Sequence, residues 1–158
     1  MKPVRITLAA AALSLAYAGP LFAADTMSKD QVKAEKDRIA QEAKANKDKC
    51  KDLKGNAKDV CMAEAKGQEK VAKAELEAKQ KDTPKNRYDV AVAKADMDYH
   101  VAKEKCDDMK GNDKKACEKD AKAAHDQAKK TAKTDRDSAE GKKERTADAS
   151  RTRAKETK

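Results

Sequence analysis

Large apolar side chains are scarce in this sequence. It contains no tryptophan, one phenylalanine and three tyrosines, and aromatic residues make up only 3% of its 158 residues. Alanine dominates the apolar fraction, and burying a single methyl group removes little area from water. Charged residues, in contrast, make up 42% of the chain. The composition therefore excludes a thick globular core and favours long, thin, partly solvated helices, or disorder.

The groups from which most catalytic sites are built are missing as well. The chain has two histidines, His100 and His125, and five glycines. It shows no Ser/His/Asp set, no glycine-rich phosphate loop and no pair of carboxylates in an apolar segment. With so few large apolar residues, there is little from which to build a dry pocket. We therefore predict no catalytic residue, no cofactor and no metal site.

One pattern has an alternative interpretation as a metal site. Asp96 and His100 lie four residues apart, on one face of a predicted helix, and Asp98 is nearby. Two such side chains can share an ion. In a chain full of aspartate and lysine, a solvated helix face accounts for the same residues, and that is the interpretation we adopt.

A block of twelve residues occurs twice. CKDLKGNAKDVC spans residues 50–61, CDDMKGNDKKAC spans residues 106–117, and seven of the twelve positions are identical at an offset of 56 residues. Repetition at a fixed period indicates a duplicated structural unit. Gly55, near the middle of the first block, suits the left-handed residue that follows a helix end. The unit is therefore predicted to be a helical hairpin with its turn inside the block.

All four cysteines lie at the ends of these blocks. Four cysteines allow three pairings, and the duplication favours Cys50 with Cys61 and Cys106 with Cys117, because each pair then brackets its own turn. Closing a loop of this size stabilises a fold by roughly 3 kcal/mol. A redox pair is the alternative, but ten intervening residues do not make a C-x-x-C arrangement. The cysteine spacing of a zinc site is missing too.

The first 23 residues have the order of a secretory signal peptide. Lys2 and Arg5 precede an uncharged, apolar run over residues 6–18, and small residues surround Ala23, after which we place the cleavage. An uncleaved anchor is the alternative. The apolar run of 13 residues is, however, shorter than the about 20 that a membrane span needs. An exported chain with an even number of cysteines is expected to form disulfides.

Capping signals divide the remaining chain into four helices. Ser28, three residues before Gln31, has the form of a capping box, and Thr83 followed by Pro84 marks a second start. At the first hairpin turn, Asn56 suits the N-cap of the helix that follows. The predicted helices cover residues 29–53, 57–81 and 84–109, and a fourth begins at 113.

The third predicted helix carries the clearest periodicity. Its apolar or small residues recur at alternating spacings of four and three, the heptad pattern of a helix that faces one partner. This seam consists of Tyr88, Val92, Ala95, Tyr99, Ala102, Cys106 and Met109. The equivalent seam 56 residues earlier is Val32, Lys36, Ile39, Ala43, Asn46, Cys50 and Leu53. The returning helices offer mostly alanine, with Cys61, Ala65, Ala72 and Leu76 in the second helix and Cys117, Ala121, Ala124, Ala128 and Ala132 in the fourth.

These observations predict an all-α fold. It consists of two tandem, disulfide-pinned antiparallel helical hairpins of elongated, coiled-coil-like shape. Residues 134–158 contain no Val, Leu, Ile, Met or aromatic residue, so a disordered or frayed basic tail is predicted there. The predicted segments are a signal peptide over 1–23, hairpins over 24–82 and 83–133, and the tail. Two arrangements of the hairpins are predicted as alternatives. They either pack on each other as one elongated bundle or are joined loosely at residues 82–84.

Three segments also carry a resemblance to known proteins. They are DTMSKDQVKAEKDRI after the signal, AEAKGQEKVAKAELEAK, and the two blocks with the pattern C-x₂-(L/M)-K-G-N-x₄-C. From residue 25 to about 133, the sequence resembles a group of small exported proteobacterial proteins with helices rich in Ala, Lys and Glu. Members of this group are often labelled TolA-like or cell envelope proteins. The resemblance implies a periplasmic helical protein and assigns no catalytic or binding residue.

The net charge and its distribution limit the classes of partner that we expect. Of 38 basic residues, two (Lys2 and Arg5) lie in the signal, so 36 would remain against 29 acidic residues, a formal net charge of +7. Dense basic patches interleaved with aromatic residues are missing, and no nucleic-acid partner is expected. The predicted function is a non-enzymatic structural or protein-interaction module of the cell envelope. Its partner would be an envelope protein, or a second copy bound through the helix seams.

Two alternative functions remain open. The positive excess would also suit a binding module for anionic envelope polymers such as lipopolysaccharide. The cysteines would suit a thiol-redox or stress-related periplasmic protein, if one of their disulfides were easily reduced. Neither alternative requires a cofactor.

Overall fold

The computed structural model describes residues 27–156, and these residues form four α-helices. In chain order they are α1 (Lys29–Lys49), α2 (Gly55–Gln80), α3 (Pro84–Cys106) and α4 (Gly111–Glu156). Between residues 27 and 156 there is no strand, which confirms the all-α prediction. The predicted signal peptide and the last two residues of the predicted tail lie outside the described residues.

Two helices start where the capping signals predict. Ser28 accepts a hydrogen bond from the backbone N–H of Gln31, while the Gln31 side chain accepts one from the N–H of Ser28. This reciprocal pair is a complete capping box at the start of α1. At the start of α3, the Thr83 hydroxyl accepts from the N–H of Asn86, and Pro84 occupies the first turn.

The two hairpin turns have the backbone geometry expected from the repeat. Gly55 and Gly111 have positive φ angles of 56° and 58°, a left-handed conformation that glycine adopts without a steric penalty. The preceding helices end at Lys49 and Cys106, a few residues earlier than predicted. They end early because tighter i to i+3 hydrogen bonds replace the helical pattern after each cysteine.

Asn56 is not the N-cap of α2, so this prediction was wrong. The N-cap residue is Lys54, and its side chain makes no capping bond. Asn56 lies in the first turn of α2, and its amide nitrogen donates to the backbone oxygen of Glu104, 2.6 Å away. That oxygen belongs to the last turn of α3, where carbonyls have no partner within the helix. The bond forms because both hairpin turns lie at the same end of the molecule.

The four helices pack as a row, each on its neighbour in the chain. Within the described residues, α1 contacts α2, α2 contacts α3, and α3 contacts α4, while non-consecutive helices do not pack on each other. The contact between α2 and α3 is the most extensive. The two disulfide-linked hairpins are therefore packed together rather than loosely joined at residues 82–84.

The core is narrow and consists mostly of small side chains, as the composition predicts. Its buried side chains are those of Ile39, Ala43, Cys50, Ala65, Leu76, Ala95, Cys106 and Ala132. All of them belong to the predicted seams. The last members of two seams, Leu53 and Met109, are 40% and 44% exposed, because α1 and α3 end before reaching them.

The part of the predicted disordered or frayed tail that the structure describes, residues 134–156, is helical. α4 continues without interruption to Glu156. Its residues are largely strong helix formers, and an anchored helix adds residues without a new nucleation step. Arg136 also places its guanidinium carbon 4.9 Å from the centre of the Tyr88 ring. A search of the sequence for apolar side chains does not detect a cation–π contact of this kind.

The side chains of α4 cease to be buried well before the helix itself ends. Ala139 still lines a groove with Pro84 and Tyr88, whereas residues 142–153 are all exposed. At 1.5 Å per residue, the 46 residues of α4 span about 69 Å and the 23 residues of α3 about 35 Å. Residues 142–156, here called the distal segment, therefore project past the partner helix. None of the four described helices is long and apolar enough to cross a membrane.

Candidate functional site

Two disulfides confirm the predicted pairing. Cys50 is bonded to Cys61 and Cys106 to Cys117, with Cα–Cα distances of 5.6 and 5.7 Å, and all four cysteines are paired. Each bond joins the end of one helix to the second turn of the next. Cys50 and Cys106 are completely buried, which shields one sulfur of each bond from attack by thiols. Such disulfides are typical of an oxidising, extracytoplasmic compartment.

A polar cluster joins α3 to α4 near the middle of α3. Nε2 of His125 lies 2.6 Å from Oδ1 of Asp96, and the imidazole stacks on the Tyr99 ring with centroids 4.8 Å apart. Nζ of Lys129 lies 3.7 Å from the same Asp96 oxygen. The His125 side chain is only 15% exposed, so the cluster is partly shielded, and a hydrogen bond to a charged group is strong there.

The structure does not pair Asp96 with His100, the two residues that the sequence places on one helix face. Asp96 contacts His125 on the neighbouring helix instead, while His100 is exposed beside the groove between α2 and α3. Among the side chains of residues 27–153, no three His, Cys, Asp or Glu residues are arranged to hold a metal ion together.

The contacts between α3 and α4 follow the antiparallel register that Cys106–Cys117 imposes. Tyr99 lies seven residues before the first cysteine, and His125 lies eight residues after the second. Tyr88 and Arg136 lie eighteen before and nineteen after, respectively. Both pairs are in contact. The pattern of each helix taken alone missed these contacts, but carrying the disulfide register along both helices would have found them.

A groove of about 310 Å³ runs between α2 and α3. It is lined by Met62, Ala63, Gly67 and Met97, with charged or polar side chains around them. A Cβ atom added to Gly67 would lie 2.7 Å from the Cβ and 3.1 Å from the sulfur of Met97. The missing side chain is thus what lets the helices approach so closely. The sequence analysis did not single out Gly67, because a helical glycine has no signature until the opposing residue is known.

Two lysines hold Glu69 in its ionised form. Lys47 on α1 and Lys73 on α2 each donate a hydrogen bond to one of its carboxylate oxygens. These bonds lower the pKa of Glu69 from an ordinary value of 4.5 to about 2. Together with the bond from the Asn46 amide to Gln68, they connect α1 to α2 beyond the first disulfide.

We expect Glu69→Gln to destabilise the protein at pH 7 and to have little effect at pH 2. A lowered carboxyl pKa stabilises the fold above about pH 4.5, and this contribution is lost as the pH falls towards 2. Because the Lys73 side chain is 59% exposed, the loss should stay below about 1 kcal/mol. Urea unfolding at both pH values measures it, with the exposed Glu64→Gln as control. Equal effects of Glu69→Gln at the two pH values would contradict the assignment.

The described helices present open grooves and charged faces to solvent. The groove between α2 and α3 and the one between α3 and α4 both open to solvent. Their charged side chains are therefore placed to attract groups of opposite charge at the surface.

Comparisons of the chain with protein-family models, with curated proteins and with solved structures found no match.

Proposed function

We propose that this chain is a non-enzymatic helical interaction module of the cell envelope, that it works in the periplasm, and that it contacts its partner through the distal segment. One observation carries the proposal: residues 142–153 are helical, and all of them are exposed. A helix whose side chains are polar and exposed all round is suited to bridging to another molecule. The disulfides and the signal-like N-terminus support an exported protein.

The rest of the chain supplies a rigid base for this segment. α4 is attached to α3 at three levels: the disulfide at Cys117, the His125 contacts, and Arg136 on Tyr88. A helix held at three points along its length cannot swing freely about any one of them. The direction in which the distal segment projects is therefore set by the packed helices, which favours a defined docking geometry over a flexible tether.

The charge of the distal segment supports a second candidate function. Residues 142–153 include five basic and two acidic side chains, a net charge of +3. A positive helix face attracts anionic polymers such as lipopolysaccharide, and neutralising their phosphates makes the binding salt-dependent. A specific protein partner with an acidic surface would be attracted by the same charges, but its binding would also require a particular shape.

Photo-crosslinking in the periplasm separates the two candidates. A photoreactive residue in place of Ala149, in the distal segment, is expected to yield a discrete protein adduct. The same label at Ala123 is the matched control, because that position is also exposed but lies on the anchored part of α4. Salt-sensitive retention on lipopolysaccharide without a protein adduct would favour the second candidate. Equal adducts from both positions would contradict a role for the distal segment.

Deleting residues 142–158 is expected to leave the melting temperature unchanged, because residues 142–153 bury no side chain. A longer deletion from residue 134 should lower it by a few degrees. That cut also removes Arg136 from Tyr88, a contact worth about 0.5–1 kcal/mol. Thermal melts followed by circular dichroism test both variants. Earlier unfolding of the shorter deletion would show that the distal segment packs on the other helices.

A further inference from the structure

We propose that Met62, Met97 and His100 form a binding site for a soft monovalent metal ion, Cu(I), in the groove between α2 and α3. All three side chains line that groove. Thioether sulfur and imidazole nitrogen are donors that suit Cu(I), whereas Mg²⁺ and Ca²⁺ select oxygen. The inference goes beyond the interaction function, which does not require a metal.

Two of the donors are neighbours on α3. Met97 and His100 are three residues apart, so their side chains lie on the same face of the helix, about 5–6 Å apart at Cβ. Across the interface, Gly67 leaves room for the Met97 side chain, and a Cβ at position 67 would lie 3.1 Å from its sulfur. The thioether therefore lies between the two helices, at the groove that also receives the third donor.

That third donor, Met62, is placed opposite His100 by the antiparallel register of α2 and α3. Two contacts bracket the position. Asn56 bonds to Glu104 on one side, and Gly67 meets the α3 methionine on the other. Met62 lies between these two contacts on α2, as His100 does on α3. The three side chains thus border one groove from two helices, and a set of three donors suits the low coordination numbers of Cu(I).

The surrounding chemistry favours the same ion. The His100 ring contacts the Tyr99 ring at a centroid distance of 5.7 Å, and a ring contact of this kind leaves the imidazole nitrogens free to coordinate. The groove is also lined by three acidic side chains, Asp59, Asp96 and Glu104, and by two lysines, Lys66 and Lys70. The formal charge of this lining is therefore −1, which would offset the charge of a bound monovalent cation. All four cysteines are held in disulfides, so thioethers and imidazoles are the soft donors that remain.

Methionine at a helix interface often serves only to fill space. Two observations distinguish Met62 and Met97 from such packing residues. Neither is fully buried, and both border the same solvent-open groove as His100. Met109, in contrast, is 44% exposed in a hairpin turn and does not line this groove, so it provides a matched control.

The test is an anaerobic titration of the oxidised protein with Cu(I), in competition with a chromophoric Cu(I) chelator. We expect one equivalent to move from the chelator to the protein. Met62→Leu, Met97→Leu and His100→Asn should each weaken the affinity at least about tenfold, and leucine is chosen because it nearly preserves methionine's volume. Met109→Leu and His125→Asn should leave the affinity unchanged.

A second measurement on the unmodified protein guards against misfolded variants. Addition of Ag(I), a soft ion that is not oxidised or reduced under these conditions, should shift the methyl resonances of Met62 and Met97 and the ring resonances of His100. Failure of the protein to remove Cu(I) from the chelator would overturn the proposal, as would equal losses in the two control variants. Metal binding restricted to Zn²⁺ and dependent on Asp59 and Glu104 would overturn it in favour of a carboxylate site.

Discussion

Replacing Cys50 and Cys61 with alanine is expected to detach α1 and to lower the melting temperature by on the order of 10 °C. α1 packs only on α2 within the described residues, and the buried side chains in its helical span are Ile39 and Ala43. Closing the hairpin loop contributes roughly 3 kcal/mol, a large part of the 5–15 kcal/mol typical of a domain. The interface between α1 and α2 is too small to replace the stability that the disulfide contributes.

Amide hydrogen exchange measures the detachment directly. Backbone amides of α1 should lose protection, while those of α2 and α3 keep it, because their mutual interface is untouched. The matched variant replaces Cys106 and Cys117 with alanine. This variant should lose less amide protection, because the interface between α3 and α4 is more extensive than the one between α1 and α2. It also includes the ring stacking of Tyr99 on His125. Full protection of α1 in the first variant, with an unchanged melt, would contradict the role assigned to the disulfide.

Replacing Gly67 with alanine is expected to destabilise the protein by on the order of 1 kcal/mol net, because an extra methyl in a packed interface costs about 1–3 kcal/mol and the gain in helix propensity offsets about 1 kcal/mol of it. The added carbon would fall 2.7 Å from the Cβ of Met97, and a Cβ atom cannot move unless the backbone of α3 moves with it. The interface affected is the most extensive one among the four described helices.

Gly141→Ala is the control for this prediction. A Cβ at position 141 would lie 3.9 Å from the Nη2 atom of Arg145, which is ordinary van der Waals contact. The helix propensity gain should therefore appear alone, as an increase in helicity. Urea unfolding and circular dichroism of the two variants give the comparison. A Gly67→Ala protein as stable as the parent would show that α2 and α3 are packed less closely than the structure indicates.

Much of the fold was predictable because its signals are short-range. The capping box at Ser28 involves residues three apart, and each disulfide joins residues eleven apart. Glycine at the hairpin turns reflects a backbone preference of that residue alone. The heptad seam predicted for α3 contains both of the side chains that are buried in this helix, because helix periodicity converts sequence spacing into a shared face. Ala95 and Cys106 are accordingly buried.

The candidate site was much less predictable. Asp96 was grouped with His100 because they share a helix face, but the structure pairs it with His125, 29 residues away. Gly67 and Asn56 acquire their roles from residues of α3, a separate helix. Residues 134–156 were predicted to be disordered or frayed because they lack apolar side chains. They are helical because helix propensity and continuation from an anchored helix suffice.

The caps of α1 and α3, the disulfide pairing and the small, seam-like core were predictable, since each depends on residues within a few turns of one another. The packing of the four helices was needed to show that the hairpins meet along α2 and α3, that His125 contacts Asp96, and that two methionines share a groove with His100. The physical reason is that these contacts depend on the rotation and register of two helices. A shift of one residue turns a side chain by about 100° and brings a different residue to the interface.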